Sequence, residues 1–139
     1  MTGVSRLLLP VGDGQLDVRI AGRGPALVFL HGFSVDQRSW EPQVRSLSGA
    51  FTCITYDLRG FGDSSLPTGD YDHSDDLAAV LGRLAPDGAI IVGLSLGANI
   101  ALSCAGRHPE RLRGLVLASS GLAGHDWGRA ERPPAAAER

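Results

Sequence analysis

Lysine is absent from this sequence, and its 13 basic residues are all arginines. The arginines are scattered along the chain and form no basic stripe. With 15 acidic residues the formal net charge is only −2. This balance does not favour nucleic acid or an anionic membrane surface. We therefore predict that the chain has no nucleic-acid partner.

Cysteine is scarce, because Cys53 and Cys104 are the only two. Each lies within an apolar stretch, and no spacing of Cys and His is typical of a zinc site. We predict two reduced thiols in the core of a cytoplasmic protein that holds no metal ion. A disulfide between the two cysteines is the alternative.

The sequence predicts neither a targeting segment nor a membrane segment. Its N-terminus has no long apolar core of the kind found in a signal peptide. Residues 89–106 carry no charge and are long enough to cross a membrane. However, this stretch contains Ser95 and Asn99, and Gly93 and Gly97 divide it into a strand and a helix. We therefore predict no membrane span.

Two phosphate-binding patterns are missing as well. No predicted strand is followed by Gly-x-Gly-x-x-Gly, and the Gly-rich residues 57–64 lack the Gly-Lys-Ser/Thr ending of a P-loop. We predict no cofactor. In that loop Asp57 and Arg59 are predicted to be structural, bonding the local backbone and each other.

What is present indicates one globular domain, since 43% of the 139 residues are hydrophobic. Apolar runs and alternation predict strands at 6–11, 15–20, 26–30, 51–56, 89–92 and 112–118, and helices at 40–47, 72–85 and 98–107. The helix at 72–85 has the clearest apolar face, formed by Leu77, Val80, Leu81 and Leu84. This order predicts an α/β fold: a mostly parallel central sheet with an N-terminal antiparallel hairpin and helices on both faces.

The segment at residues 93–97 reads Gly-Leu-Ser-Leu-Gly and joins a predicted strand to a predicted helix. A serine between two glycines on such a turn is the pattern of a nucleophile elbow. A Cβ at Gly93 or Gly97 is expected to collide with the neighbouring backbone. The helix end offers free N–H groups and a partial positive charge to a developing anion. The alternative is that Ser95 only caps the helix.

Several motifs in the right order carry a family resemblance. His-Gly-Phe at 31–33 follows the first central strand, the loop at 57–64 follows the second, and the Ser95 segment follows the third. Residues 108–117 are typical of the step into the next strand. Over about residues 10–122 the chain resembles the α/β-hydrolase fold family, of the small serine esterase, lactonase and carbon–carbon hydrolase type.

The resemblance implies a role for each motif residue. Ser95 would be the nucleophile that attacks a small ester, lactone or related acyl substrate. The backbone N–H groups of Phe33 and Leu96 would form the oxyanion hole. Supporting roles are implied for His31, Gly32, Gly93 and Gly97. Relatives that open epoxides or remove halides carry Asp at the nucleophile position, so Ser95 disfavours those reactions.

The resemblance also implies a catalytic acid and a histidine that follow the serine in the chain, after later strands. We expect an α/β-hydrolase fold truncated after about strand 6, since a complete sheet of this kind needs roughly 250 residues. His108 lies at the far end of the helix that Ser95 begins, about 18 Å away. His125 and Asp126 are predicted to be polar loop residues. The acid and the base are therefore expected to be missing from this chain.

We expect residues 1–122 to form the hydrolase core and residues 123–139 the start of a lid or a disordered tail. A serine without a base is a poor nucleophile, so little turnover is expected from the chain alone. The alternative function is a truncated, non-catalytic interaction module, or one half of an enzyme that a partner chain completes. The strand at 115–118 would then offer an exposed apolar edge to a partner or a second copy.

Overall fold

The computed structural model describes residues 3–121, and the elements there follow the predicted order. The strands are β1 (Ser5–Val11), β2 (Gly14–Ala21), β3 (Ala26–Leu30), β4 (Thr52–Tyr56), β5 (Ala89–Leu94) and β6 (Leu112–Ala118). The helices are α1 (Glu41–Leu47), α2 (His73–Leu84) and α3 (Leu96–Arg107), with short 3₁₀ turns at Gln37–Trp40 and Pro109–Arg111. The predicted fold class is confirmed.

The strands form one sheet in the order β1-β2-β4-β3-β5-β6. β2 runs antiparallel to both β1 and β4, whereas β4, β3, β5 and β6 are parallel to one another. The chain passes from β3 to β4 on one side and then to β5 on the other side of β3. The loops after β3 and β5 therefore diverge. In open α/β sheets, ligands bind in the crevice that such a reversal leaves at the carboxyl ends of the strands.

Side chains alternate along the central strand β3 and pack against helices on both faces. Leu27 and Phe29 belong to the apolar cluster that includes Val44 of α1. Val28 and Leu30 belong to the larger cluster, which includes residues of α2 and α3. The sheet is thus covered on both sides, and the loops at its carboxyl edge are held on a rigid base.

The two cysteines lie on opposite faces of this sheet. Cys53 belongs to the α1 cluster and Cys104 to the α2 and α3 cluster. Both are free and buried, and burial raises the pKa of both thiols. A disulfide between them would have to pass through the sheet, so the predicted reduced state is the one the fold supports.

The uncharged stretch at 89–106 forms β5 and most of α3 rather than one long helix. Between residues 3 and 121, the structure has no helix whose length and apolar character would allow it to cross a membrane. The predicted break at Gly93 and Gly97 coincides with the turn between the two elements.

β6 is the outermost strand on one side of the described sheet. Its Leu115 and Val116 side chains are 36% and 53% exposed. The sheet therefore ends, within residues 3–121, on an apolar strand, as the sequence predicts. The partner of this edge stays a prediction.

Candidate active site at the turn between β5 and α3

Ser95 is the single residue between β5 and α3, and its backbone has φ 52° and ψ −109°. A positive φ is uncommon for a non-glycine residue and costs on the order of 1–3 kcal/mol. Its N–H donates to the carbonyl of Ala118 at 2.8 Å, and its carbonyl accepts from the N–H of Asn99 at 3.1 Å. The residue is exposed. The fold therefore holds a strained serine at the surface.

The glycines on either side of this turn are required by close backbone contacts. A Cβ on Gly97 would lie 2.3 Å from the carbonyl oxygen of Leu30, and one on Gly93 would lie 2.6 Å from the Cα of Ala98. These distances are far inside van der Waals contact. The start of α3 thus rests directly on the end of β3, which places Ser95 beside the loop that follows β3.

Ser95 occupies the N-cap position of α3, but the interpretation that its hydroxyl only caps the helix is wrong. Its side chain makes no hydrogen bond to the first N–H groups of α3. A capping serine normally accepts such a bond from the second or third helical residue. The hydroxyl is therefore not used in a hydrogen bond to the start of α3. It lies at the helix end that carries a partial positive charge.

The loop after β3 runs along the Ser95 turn. Leu30 is paired with Gly93, and a Cβ on Gly32 would lie 3.6 Å from the carbonyl oxygen of Leu94. The buried His31 accepts at Nε2 from the N–H of Leu58 at 2.9 Å, so Nδ1 carries the proton and donates to the carbonyl of Gly32 at 2.7 Å. With both nitrogens bonded to backbone, His31 links two loops and has no free nitrogen to act as a base.

Phe33 follows Gly32 and is 71% exposed. Its ring meets Phe61 edge-on with centroids 5.6 Å apart, and Phe61 meets His31 at 5.3 Å. Within residues 3–121, the N–H groups of Phe33 and Leu96 donate to no protein acceptor. Two unoccupied backbone donors therefore lie on the two segments that flank the crevice between β3 and β5.

Asp57 organises the loop after β4, as predicted. Its two carboxylate oxygens accept from the N–H groups of Gln37 and Asp63, each at 2.9 Å. A Cβ on Gly62, which has φ +48°, would come within 2.1 Å of the same carboxylate. Asp57 therefore serves loop structure rather than chemistry at Ser95.

The predicted bond between Arg59 and Asp57 is wrong. Arg59 instead donates to Asp76 at 2.8 Å, to Asp13 at 3.1 Å and to the carbonyl of Val11. Burial raises the pKa of Asp76, and the hydrogen bonds from Arg59 act in the opposite direction. The guanidinium thus points away from its own loop and joins it to α2.

Three carboxylates, those of Asp17, Asp57 and Asp63, have oxygens within 4.8 Å of one another. However, Asp17 already accepts from Arg6 and Gln37, and both Asp57 oxygens accept backbone N–H groups. The arrangement therefore fits a hydrogen-bonded polar network better than a set of metal ligands.

Ser95 has no hydrogen bond to a histidine in the part of the chain that the structure describes. His108 is the C-terminal cap of α3, at the end opposite Ser95. His73 begins α2, and burial lowers its pKa. His125 and Asp126 lie outside the described residues, as do the predicted boundary at residue 122 and the predicted lid or tail.

Sequence reasoning did not single out Asn99 for a role. Its Oδ1 accepts from the N–H of Gly121 at 2.9 Å, which ties α3 to the segment after β6. Only its spacing of four residues from Ser95 could have drawn attention to it, since that spacing puts both on one side of a helix.

Comparison with known proteins shows that this chain is similar to hydrolases in sequence and in fold. A family model described as the alpha/beta hydrolase fold matches residues 25–137. The 2-(acetamidomethylene)succinate hydrolase of Mesorhizobium japonicum is 38% identical, with 76% of this chain and 39% of the relative covered. The pimeloyl-[acyl-carrier protein] methyl ester esterase of Shewanella woodyi is 40% identical, with 78% and 41% covered.

A solved structure shows the same similarity. An epoxide hydrolase mutant of Vigna radiata superposes with a TM-score of 0.79 at 30% identity, covering 84% of this chain and 39% of that one. The chain thus spans about two fifths of the length of the relatives it matches.

Proposed function

From the premise that the chain belongs to the α/β-hydrolase fold family, we propose that it carries the nucleophile of an enzyme that hydrolyses a small ester, lactone or related acyl substrate. The observation that carries this proposal is the exposed Ser95, held at φ 52° between two glycines that admit no side chain. Membership of this family, whose relatives include hydrolases, supports an enzyme. The esterase among its relatives supports the acyl substrate.

In the proposed reaction, the Oγ of Ser95 attacks the acyl carbonyl carbon and the carbonyl oxygen becomes negative. The N–H groups of Phe33 and Leu96 donate to that oxygen, and each such donor contributes about 3 kcal/mol. The N-terminal end of α3 adds a favourable dipole. The tetrahedral adduct then collapses: the bond to the leaving alcohol oxygen breaks, and the alcohol departs with the proton that Ser95 gave up. Water attacks the acyl-enzyme, the bond to Oγ breaks, the acid is released and Ser95 regains a proton.

The proton of Ser95 needs an acceptor, and we propose that the catalytic histidine and acid are not among the residues of this 139-residue chain. His31 is bonded to backbone through both nitrogens, and His108 lies at the opposite end of α3. The described part therefore supplies the nucleophile and the oxyanion donors. Ser95 itself disfavours epoxide opening, even though an epoxide hydrolase is among the structural relatives.

We expect the 139-residue chain to be acetylated at Ser95 by p-nitrophenyl acetate, but slowly and without a fast burst. Loss of the histidine in a serine hydrolase lowers turnover about 10⁶-fold, whereas the oxyanion hole and binding alone retain about 10³–10⁴ over water. The measurement is mass-spectrometric mapping of the acetylated peptide over time. Ser95→Ala removes the reacting group. The matched control is Ser103→Ala, which removes an exposed serine of α3.

Acetyl groups found elsewhere while Ser95 stays free would contradict the proposed nucleophile. A burst at the rate of a complete triad would contradict the expectation that this chain lacks the catalytic histidine and acid.

The oxyanion hole predicts different effects for two substitutions at one position. Phe33→Pro removes the proposed N–H donor, and we expect acetylation of Ser95 to fall about 10²-fold or more. Phe33→Ala keeps the N–H, so its rate should stay close to that of the wild type. Equal rates for the two variants, with unchanged melting temperatures, would show that this N–H does not take part.

A second candidate function is an interaction module, which the exposed Leu115 and Val116 of β6 favour. An apolar outer strand is a template for pairing with another chain. This candidate requires no reactive serine, so the acetylation measurement separates it from the first.

A further inference from the structure

The last residue of β6 and the segment after it, residues 118–121, are tied to the Ser95 turn at two points. The carbonyl of Ala118 accepts from the N–H of Ser95 at 2.8 Å, and the N–H of Gly121 donates to Oδ1 of Asn99 at 2.9 Å. Between these bonds the chain turns at Ser119, which has φ 55°. Among residues 3–121, Ser95 and Ser119 are the two non-glycine residues with positive φ, and both belong to this linkage.

Asn99 connects the two sides of the linkage. Its own N–H donates to the carbonyl of Ser95 at 3.1 Å, within the first turn of α3. Its side chain reaches the segment whose Ala118 carbonyl accepts from Ser95. The hydrogen bonds therefore close a ring that starts and ends at Ser95 and includes Asn99 and residues 118–121.

This ring bears on the backbone strain at Ser95. A strained conformation persists only where the surroundings over-determine it. Gly93 and Gly97 let the turn pack closely, but the bond to Ala118 is what holds the N–H of Ser95 itself.

Ala118 pairs with Leu94 at the end of the β5–β6 ladder, so its carbonyl is held by that pairing on one side and by the bound segment on the other. If residues 119–121 came away from α3, this last pair of the ladder would be free to fray. Ser95 would then relax, and a shift of about 1 Å at a reacting group can cost about 10² in rate.

We propose that Asn99 is a positioning residue for Ser95. Its carboxamide holds the segment after β6 against α3, so that Ala118 fixes the turn that presents the hydroxyl. Asn99 acts through this segment and does not itself contact the reacting atoms. The inference rests on the proposed role of Ser95 as nucleophile, whereas the coupling between the two hydrogen bonds can be measured without it.

Amide hydrogen exchange of the 139-residue chain, followed by NMR, tests the coupling. In Asn99→Ala we expect exchange to rise at both Gly121 and Ser95, up to about tenfold, because a hydrogen bond contributes about 0.5–1.5 kcal/mol. Asn99→Asp keeps the acceptor oxygen and should restore protection at both amides. Ser103→Ala, one helical turn further on and also exposed, should change neither.

Unchanged exchange at Ser95 in Asn99→Ala would overturn the inference, whether or not Gly121 opens. The acetylation rate of Ser95 adds a functional readout, which we expect to fall about tenfold in Asn99→Ala and to recover in Asn99→Asp. Faster exchange at Ser95 with an unchanged acetylation rate would also overturn it. If the wild type is not acetylated at Ser95, the proposed function fails and the exchange data still decide the coupling.

Discussion

Gly97→Ala is expected to lower the free energy of unfolding by about 3 kcal/mol or more, whereas Gly106→Ala in the same helix should raise it by about 0.5 kcal/mol. A Cβ on Gly97 would meet the carbonyl oxygen and carbon of Leu30 at 2.3 and 2.7 Å. Those atoms belong to the central strand and cannot move aside cheaply. At Gly106 a Cβ would meet nothing within 4 Å.

The opposite signs make this pair informative. Both changes add one methyl group to α3, so helix propensity favours alanine in each case. The difference between them isolates the close approach of α3 to β3. Urea denaturation of the two variants and the wild type measures it. Equal stabilities would show that the turn accepts a side chain and that Ser95 is not held by backbone contact.

Arg59→Met is expected to lower the free energy of unfolding at pH 7 by about 3–5 kcal/mol, since removing one partner of a buried ion pair leaves the other charge uncompensated. The Arg59 and Asp76 side chains are only 6% and 7% exposed. A domain of this size is stable by roughly 5–15 kcal/mol, so the variant should be marginal.

The effect of Arg59→Met should depend on pH in a defined direction. Burial raises the pKa of Asp76, and Arg59 opposes that rise. Without Arg59 the folded pKa moves further above the unfolded value of about 4. A raised folded pKa gives stability that is present below the unfolded pKa and lost as pH rises through the folded one. The deficit relative to the wild type should therefore shrink as the pH is lowered from 7 towards 4.

Two further variants control this prediction, and denaturation curves at several pH values supply the data. Arg38→Met removes an arginine that is 69% exposed and pairs with Asp36, and should cost less than about 1 kcal/mol. Arg59→Met combined with Asp76→Leu removes both buried charges and should recover most of the loss. A deficit that is constant from pH 7 to pH 4 would contradict the account.

The sequence predicts the elements well because apolar spacing is a local property. The alternation in β2 and the apolar face of α2 each lie within one element, and both appear where the pattern puts them. The need for glycine at 93 and 97 also follows from a local motif. One difference is that α3 begins at Leu96 rather than at residue 98, because Ser95 alone completes the turn.

The sequence does not predict which distant residues are joined by side-chain hydrogen bonds. Arg59 lies near many aspartates in the chain, and local spacing favoured Asp57, whereas packing of α2 brings Asp76 to it from 17 residues away. The bond between Asn99 and Gly121 spans 22 residues and has no motif. The chemical role of Ser95 stays a prediction, because geometry presents the hydroxyl without showing its reaction.

The placement of the two cysteines on opposite faces of the sheet gives the molecule a built-in pair of reporters. Cys53 lies on β4 and is buried in the cluster that includes α1, whereas Cys104 lies in α3 itself and is buried in the cluster on the other face. Local opening of a native protein has its own free energy in each cooperative unit. The rate at which each thiol reacts with a labelling reagent under native conditions therefore measures how often the structure around it opens locally. Comparing the two rates shows whether the helices on the two faces open together or independently.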